Sequence, residues 1–187
     1  MIYKDIDKWM TYQGIKFLKD IGMKSNQVVL DFGCKHGTYT IPAAIIVGEN
    51  GKVYAIDKNK DALNKLSNKA VKKELKNIEL ISSTDQINIF ISNDSVDMIL
   101  LFDVLHLVKS REKLLTELYR ILKPLGILSV YPKHHKEDMH MNLNEVKEEI
   151  EEIGFCFEKK SLKTLMHDDS LERGYVLNFK KYNDISI

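Results

Sequence analysis

The segment that decides the fold is Val28-Val29-Leu30-Asp31-Phe32-Gly33-Cys34-Lys35-His36-Gly37-Thr38. Its first half is a short apolar run, which is typical of a buried strand, and its second half is a bend that contains two glycines. A helical pattern follows the bend and ends near Val47. A strand, a glycine bend and a helix in this order predict the first unit of an α/β fold, with a ligand site at the bend.

Apolar runs and helical patterns alternate along the rest of the chain. The sequence predicts further strands at 53–57, 78–82, 96–102 and 126–131, and helices at 5–21, 60–75, 111–123 and 143–153. This alternation is typical of βαβ units and a mostly parallel sheet. Two last strands, 155–165 and 174–182, have nothing helical between them, so we expect them to pair as an antiparallel hairpin.

Composition narrows the class of protein. The 187 residues suit one domain, and a hydrophobic fraction of 44% is enough for an ordinary core. Because 28 basic residues face 27 acidic ones, we expect no general electrostatic attraction to nucleic acid. Cys34 and Cys156 form no CxxC pair, so we predict no metal site. With no signal peptide and no membrane-spanning run, the expected location is cytoplasmic, without a membrane partner.

The residues that follow the strands indicate the ligand, because ligands of open α/β sheets bind beyond the carboxyl ends of the strands. Glycine lets a ligand approach the backbone, and the free N–H groups at a helix start favour a carboxylate or phosphate. Asp31 would repel a pyrophosphate but suits a ligand with an ammonium group. Asp57 ends the second strand, where a carboxylate can accept hydrogen bonds from both hydroxyls of a ribose.

Two later segments complete the predicted site. Asp85 follows the third strand and is a candidate for the amino group of an adenine, although Thr84 or Ser83 can align at the same position. The fourth strand leads into Leu101-Phe102-Asp103-Val104-Leu105-His106, which we expect to pass the reacting centre.

Four motifs in order resemble a known family. They are Val28-Val-Leu-Asp-Phe-Gly-Cys-x-x-Gly-x-x-Thr-Ile-Pro-Ala-Ala, Gly51-Lys-Val-Tyr-Ala-Ile-Asp57, Val96-Asp97-Met-Ile-Leu and Leu122-Lys-Pro-x-Gly126. Together, over about residues 26–132, the chain resembles class I S-adenosylmethionine-dependent methyltransferases. Within that superfamily it is similar to the small-molecule enzymes of ubiquinone and menaquinone biosynthesis.

The resemblance implies both a fold and a cofactor. The fold is a Rossmann-like, doubly wound seven-stranded α/β sheet of order 3-2-1-4-5-7-6, with the last strand antiparallel. One methyltransferase domain would comprise a helical cap (1–25), a cofactor-binding core (26–132) and a C-terminal helix with the hairpin (133–187). The implied cofactor is S-adenosylmethionine, with S-adenosylhomocysteine as product. The implied cofactor-binding residues are Asp31, Gly33, Cys34, Lys35, His36, Gly37, Asp57, Lys58, Thr84, Asp85 and Phe102.

Lys35 departs from the family pattern, which has glycine at this position. If the position needs a positive φ, lysine costs on the order of 1 kcal/mol. The side chain could fill the space of the cofactor, or it could reach the methionine carboxylate as a charge partner. Two function hypotheses follow: a methyltransferase for a small-molecule acceptor, and a catalytically impaired protein that keeps the fold for binding or regulation.

Two other enzyme classes fit less well. A nicotinamide-dependent dehydrogenase needs G-x-G-x-x-G after the strand, and this fingerprint fails at Lys35 and Thr38. A nucleic-acid base methyltransferase typically has an Asn/Asp-Pro-Pro-aromatic motif after the fourth strand, where this chain has Leu101-Phe102-Asp103-Val104. We therefore expect a small molecule and not a nucleic acid as the acceptor.

Methyl transfer from a sulfonium requires few catalytic groups from the protein. Transfer from a sulfonium depends mainly on proximity and alignment, and a general base is needed only if the acceptor carries a proton of high pKa. His106 and Asp103 are the predicted catalytic residues, with His36 as a further candidate. Trp9 and Tyr12 on the first helix would close over the pocket. The sequence names neither the acceptor nor the oligomeric state, and it leaves a homodimer open.

Overall fold

The computed structural model describes residues 6–83, 89–132 and 141–182. Its strands are β1 (Val28–Phe32), β2 (Lys52–Asp57), β3 (Ile78–Ser82), β4 (Val96–Phe102), β5 (Leu122–Tyr131), β6 (Phe155–His167) and β7 (Ser170–Lys181). Its α-helices are α1 (Gly14–Asp20), α2 (Thr40–Val47), α3 (Lys60–Lys72), α4 (Arg111–Ile121) and α5 (Leu143–Glu152). A π-helical turn (Trp9–Gln13) precedes α1, and a 3-10 turn (Leu105–Leu107) follows β4. Within these ranges, no helix has the length and apolar character needed to cross a membrane.

The strands form one seven-stranded sheet of order β3-β2-β1-β4-β5-β7-β6, which confirms the predicted topology. The first five strands are parallel to one another, whereas β7 is antiparallel to both β5 and β6. Asp97 supports the centre of the sheet, because its carboxylate accepts the N–H of Val28 and the ammonium of Lys123. The switch in strand order between β1 and β4 places a ligand crevice at their carboxyl ends.

Both faces of the sheet are covered by apolar side chains. Alternate residues of β4 belong to opposite cores, with Met98 and Leu100 packing on one side and Ile99 and Leu101 on the other. A strand that is buried on both faces appears in the sequence as a continuous apolar run, which is why β1 and β4 were predictable. Asp31 lies near the end of β1 and is buried, so contact with water does not explain a charged residue at this position.

The terminal hairpin is longer than the sequence predicted. Its strands reach His167 and Ser170, so the turn consists only of Asp168 and Asp169. These residues have φ angles of 40° and 67°, which is the type I′ geometry that fits the twist of a two-residue hairpin. Aspartate tolerates this left-handed region better than most residues do. The predicted gap between the strands was wrong, because a tight Asp-Asp turn replaces it.

The ends of other elements also differ from the predicted bounds. The segment that we predicted as one regular helix from residue 5 contains the π-helical turn before α1. β5 begins at Leu122 and not at Gly126, and it pairs there with Val96. Apolar periodicity locates an element well but does not determine the hydrogen bonds at its ends.

Candidate functional site

The bend after β1 depends on its two glycines. Gly33 and Gly37 have φ angles of 80° and 89°, in a region that favours glycine. A Cβ atom at Gly33 would lie 2.8 Å from Val104, and one at Gly37 would lie 2.3 Å from Leu66. The N–H groups of Gly33 and Cys34 donate to the carbonyl of Ile56, at 2.8 and 3.0 Å. The bend is therefore held against β2 and packed too closely for other residues.

Asp57 points toward this bend. One carboxylate oxygen, Oδ2, accepts the backbone N–H of Lys35 at 2.8 Å, and Oδ1 accepts the N–H of Asn59 at 2.8 Å. A carboxylate has about four lone-pair positions, so capacity remains for ligand hydroxyls. Lys58, the next residue, is exposed.

Asp31 lies at the floor of the site and is almost completely buried. Its carboxylate accepts a hydrogen bond of 2.6 Å from the Thr40 hydroxyl at the start of α2. Burial, with a smaller contribution from the charge of Asp57, raises the pKa of Asp31 to about 7, although the hydrogen bond from Thr40 opposes the change. A buried carboxyl group of this kind is well suited to bind a cation, which would restore its charge.

Lys35 has a positive φ of 47°. The lysine therefore adopts a left-handed conformation that favours glycine, the residue of the family pattern at this position. Its ammonium lies 2.8 Å from Asp168 Oδ1 and 4.0 Å from Asp103 Oδ2. Next to it, His36 Nε2 lies 3.4 Å from Asp169 Oδ1, and burial lowers the pKa of His36. We call these two contacts, Lys35–Asp168 and His36–Asp169, the clasp, because they join the bend to the hairpin turn.

Asp103 and His167 form a second pair inside the clasp. Asp103 directly follows β4 with a φ of 55°, and its Oδ2 lies 2.7 Å from His167 Nδ1. His167 Nε2 lies 3.2 Å from Asp168 Oδ2, so the buried imidazole stands between two carboxylates. Among the described residues, Asp103 Oδ1 has no hydrogen-bond partner. Burial raises the pKa of Asp103 to about 7, and the nearby Lys35 opposes this effect.

An aromatic wall closes the side of the site that faces α1. The rings of Tyr39 and Phe102 are 4.8 Å apart, and Phe17 lies 5.8 Å from Phe102. The Tyr39 hydroxyl donates to the carbonyl of Met166 at 2.6 Å. Trp9 packs on Phe17 and donates to the carbonyl of Thr38 at 3.0 Å. Trp9 thus contributes to this wall, whereas Tyr12, which we expected to close over the pocket as well, is exposed.

These groups surround a cavity of about 50 Å³. Pockets that enclose ligands of drug size are typically about 300–1,000 Å³. In this conformation the clasp and the hairpin turn therefore leave little room beside Asp31 and Asp103.

The structure brings most of the predicted site together. Cavity-lining residues that we predicted from the sequence are Asp31, Gly33, Cys34, Lys35, His36, Phe102 and Asp103. Gly37 shapes the bend and Asp57 supports it. Lys58 and His106 are not among the described residues that line the cavity. Thr84 and Asp85 lie outside the described residues.

Sequence reasoning missed the contribution of the hairpin. The hairpin residues Met166, His167, Asp168 and Asp169 line the cavity, as does Tyr131 at the end of β5. The pair Asp168-Asp169 between two strand-like runs was the available signal, since acidic residues are common in tight turns.

Three of these groups could also bind a metal. Ligand atoms of Asp103, His167 and Asp168 lie within 4.8 Å of one another, although the sequence had indicated no metal ligands. The imidazole directs a different nitrogen to each carboxylate, and Lys35 already neutralises Asp168. The arrangement resembles a charge-paired network more than a set of converging ligands.

Cys34 lies in the cavity wall and is buried, whereas Cys156 is exposed. Burial, with a smaller contribution from the charge of Asp31, raises the pKa of the Cys34 thiol. Cys34 is therefore a small apolar wall residue and not an activated thiol.

We expect Lys35→Gly to increase affinity for S-adenosylhomocysteine several-fold. The substitution removes the left-handed strain and one contact of the clasp, so that more of the protein is open to ligand. Isothermal titration calorimetry measures the effect. Lys35→Met, which keeps the strain but removes the charge, shows how much of the gain comes from the ion pair. Weaker binding by both variants would mean that Lys35 contacts the ligand.

Comparisons with known proteins match both the sequence and the fold of this chain. The family model described as "Methyltransferase domain" matches residues 23–180, which is most of the chain. A crystal structure of an S-adenosylmethionine-dependent methyltransferase from Aquifex aeolicus is 28% identical, with a TM-score of 0.75 over 92% of this chain and 90% of that one.

Two curated relatives match in sequence. A demethylmenaquinone methyltransferase of Lactobacillus johnsonii is 29% identical over 115 residues, 62% of this chain and 47% of the relative. A probable cobalt-precorrin-6B C(15)-methyltransferase (decarboxylating) of Saccharolobus solfataricus is 36% identical over 83 residues, 44% of this chain and 42% of the relative. The chain spans about half the length of the curated relatives that it matches.

Proposed function

The chain belongs to the methyltransferase domain family and its cofactor is S-adenosylmethionine, and from this we propose that it is a single-domain enzyme that methylates a small-molecule acceptor. The names of the relatives, which refer to quinone and precorrin substrates, support an acceptor of this size. The near balance of 28 basic and 27 acidic residues supports it as well, because a nucleic-acid enzyme generally needs a basic surface.

The observation that carries the proposal is the hydrogen bond from the Lys35 N–H to Asp57. It brings the carboxylate at the end of β2 to the glycine bend at the end of β1, 2.8 Å from backbone that is 22 residues earlier in the chain. Such a convergence suits a ligand with a sugar near one strand and an amino-acid tail near the other.

Each residue then has a proposed task in holding the cofactor. Asp31 would receive the ammonium of the methionine part, for which a buried carboxylate is a strong partner. Asp57 would accept hydrogen bonds from the ribose hydroxyls, and the bend would lie along the methionine part. When bound, the cofactor supplies an activated methyl group on a sulfonium.

Asp103 is the proposed base for an acceptor that carries a proton on its reacting atom. His167 holds Asp103 Oδ2 at 2.7 Å, which leaves Oδ1 for the acceptor. A pKa of about 7 places Asp103 near the value at which a general base is most effective. The aromatic wall of Phe17, Tyr39 and Phe102 would exclude water from the reacting atoms.

Calorimetry with S-adenosylhomocysteine tests the cofactor site, and transfer of labelled methyl from S-adenosylmethionine tests catalysis. We expect binding by the unaltered protein and a loss of at least about 10-fold in affinity for Asp57→Ala, because ribose hydrogen bonds to a charged group are removed. Asp61→Ala, an exposed acid in the first turn of α3, is the matched control and should bind normally. No binding by the unaltered protein at millimolar ligand would refute the proposal. Binding without transfer to any acceptor would favour the regulatory alternative.

A further inference from the structure

We infer that the group methylated by this enzyme is a protonated amine, which binds between Asp103 and Asp168 where the ammonium of Lys35 lies in this structure. The inference rests on the proposed function and specifies its acceptor. It depends on one observation: the chain's own alkylammonium already occupies a position between two carboxylates in the wall of the cavity.

The contacts define a small cation site, which we call the acidic cup and which consists of Asp103, His167 and Asp168. Lys35 Nζ lies 2.8 Å from Asp168 and 4.0 Å from Asp103. The Asp103 side chain is 11% exposed, and its Oδ1 has no hydrogen-bond partner among the described residues. An ammonium has three donors, so a ligand that approaches more closely than Lys35 can also satisfy this oxygen.

The charge of the cavity selects against other acceptors. Its lining includes the acids Asp31, Asp103, Asp168 and Asp169, against Lys35 and two histidines. A carboxylate or phosphate acceptor would face repulsion from these groups. A neutral alcohol or quinol would gain no attraction from the charges of these carboxylates, whereas a cationic acceptor gains it.

Lys35 can leave the acidic cup at little cost. Its side chain is 51% exposed, so the ammonium can turn into solvent, and an ion pair of this exposure contributes little to stability. A cavity of about 50 Å³ is smaller than most ligand pockets, so release of Lys35 from the acidic cup would make room for the acceptor.

The transfer step is balanced with the residues present. The acceptor ammonium gives one proton to the carboxylate of Asp103 and becomes a neutral amine. Its nitrogen lone pair forms the N–C bond as the C–S bond of the donor breaks, and the C–S electron pair stays on sulfur. The product leaves as a methylated ammonium, and Asp103 passes its proton to water.

The test compares amines with neutral molecules of the same shape. Ethylamine, benzylamine and tryptamine are titrated beside ethanol, benzyl alcohol and tryptophol, with benzoate and menadiol as further probes, into protein saturated with S-adenosylhomocysteine. The same compounds are offered as acceptors with labelled S-adenosylmethionine. We expect at least one amine to bind about 10-fold or more tightly than its alcohol and to accept methyl.

Two variants connect the preference to the acidic cup. Asp168→Asn keeps a residue that tolerates a positive φ, and it should reduce the affinity of the preferred amine by about 10-fold without changing that of the alcohol. Glu158→Gln removes a carboxylate from the same hairpin, where it pairs with Lys180, and should leave both affinities unchanged. Far-UV circular dichroism confirms that both variants are folded.

Several binding and transfer results would overturn the inference while S-adenosylhomocysteine still binds. They are binding of no amine, equal binding of amines and alcohols, methyl transfer to menadiol but to no amine, and an unchanged amine affinity in Asp168→Asn. A requirement for added Mg²⁺ that Asp168→Asn abolishes would also overturn it and would identify the acidic cup as a metal site. Failure of S-adenosylhomocysteine to bind would instead refute the proposed function.

Discussion

Asp31→Asn is expected to make the protein more stable and, at the same time, to weaken its binding of S-adenosylhomocysteine by at least about 30-fold. The loss of affinity follows from the proposed pairing of this carboxylate with the ammonium of the ligand, since removing one partner of a buried charge pair costs about 2–5 kcal/mol. The gain in stability follows from burial. Asparagine keeps an oxygen for the Thr40 hydroxyl but carries no charge.

The sign of the stability effect depends on pH. The pKa of Asp31 rises from its ordinary 3.8 to about 7 on folding, so the unfolded chain ionises this group more readily. Stability is therefore lost as pH rises from about 4 to about 7, by an amount on the order of 4 kcal/mol. The variant should melt about 5 °C or more above the unaltered protein at about pH 8, with a smaller difference at about pH 5.

Thermal unfolding at these two pH values, together with calorimetry, measures both effects. Asp97→Asn is the matched control, because Asp97 is a carboxylate of the same sheet whose partners are Val28 and Lys123. That variant should lose stability. A lower melting temperature for Asp31→Asn at the higher pH would show that the charge of Asp31 is compensated in the folded protein.

Asp103→Asn is expected to reduce the rate of methyl transfer by about 100- to 10,000-fold, the usual contribution of a positioned general base. Affinity for S-adenosylhomocysteine should change little, because the proposed contact of Asp103 is with the acceptor. Asparagine also tolerates the positive φ of this position, so the backbone should be preserved. Single-turnover measurements with labelled cofactor give the rate of the transfer step.

The pH profile separates a base from a merely structural carboxylate. Asp103 accepts a proton only when it is ionised, so the rate of the unaltered enzyme should rise as pH increases through about 7. His167→Gln, which removes the imidazole that holds Asp103, should move this limb of the profile. Asp103→Asn should abolish it.

The matched control for this prediction is Asp94→Asn. Asp94 also has a positive φ, of 49°, and it forms an ion pair with Lys181. It should retain full activity. An Asp103→Asn enzyme with an unchanged rate and an unchanged pH profile would exclude Asp103 as the base.

The strands and helices were predictable because local patterns encode them. The apolar runs of β1 and β4 indicate strands covered on both faces, and the helical patterns between strands require parallel crossovers. The missing crossover before the last strand indicated the antiparallel hairpin. The resemblance in the motifs from Val28 to Gly126 then supplied the strand order, which the pairing of the strands confirms.

The site was predictable where it is built from residues at the ends of β1, β2 and β4. Asp31, the glycine bend and Asp57 follow strands whose positions are visible in the sequence. His167 and Asp168 join them from more than 100 residues away, at a turn whose length depends on the register of β6 and β7. No local pattern determines that register, so neither the clasp nor the acidic cup could be read from the sequence.

The glycine bend and the Asp168–Asp169 turn, two walls of the cavity, come from separate parts of the chain, so the proposed methyl donor and acceptor can contact different surfaces. The bend and the end of β2 form one surface, which any acceptor would share. The Asp168–Asp169 turn forms the other, and a turn exposed at the tip of a hairpin tolerates exchange without disturbing a core. Substitution at those two positions is thus a route by which paralogues could acquire new acceptors while retaining the same methyl donor.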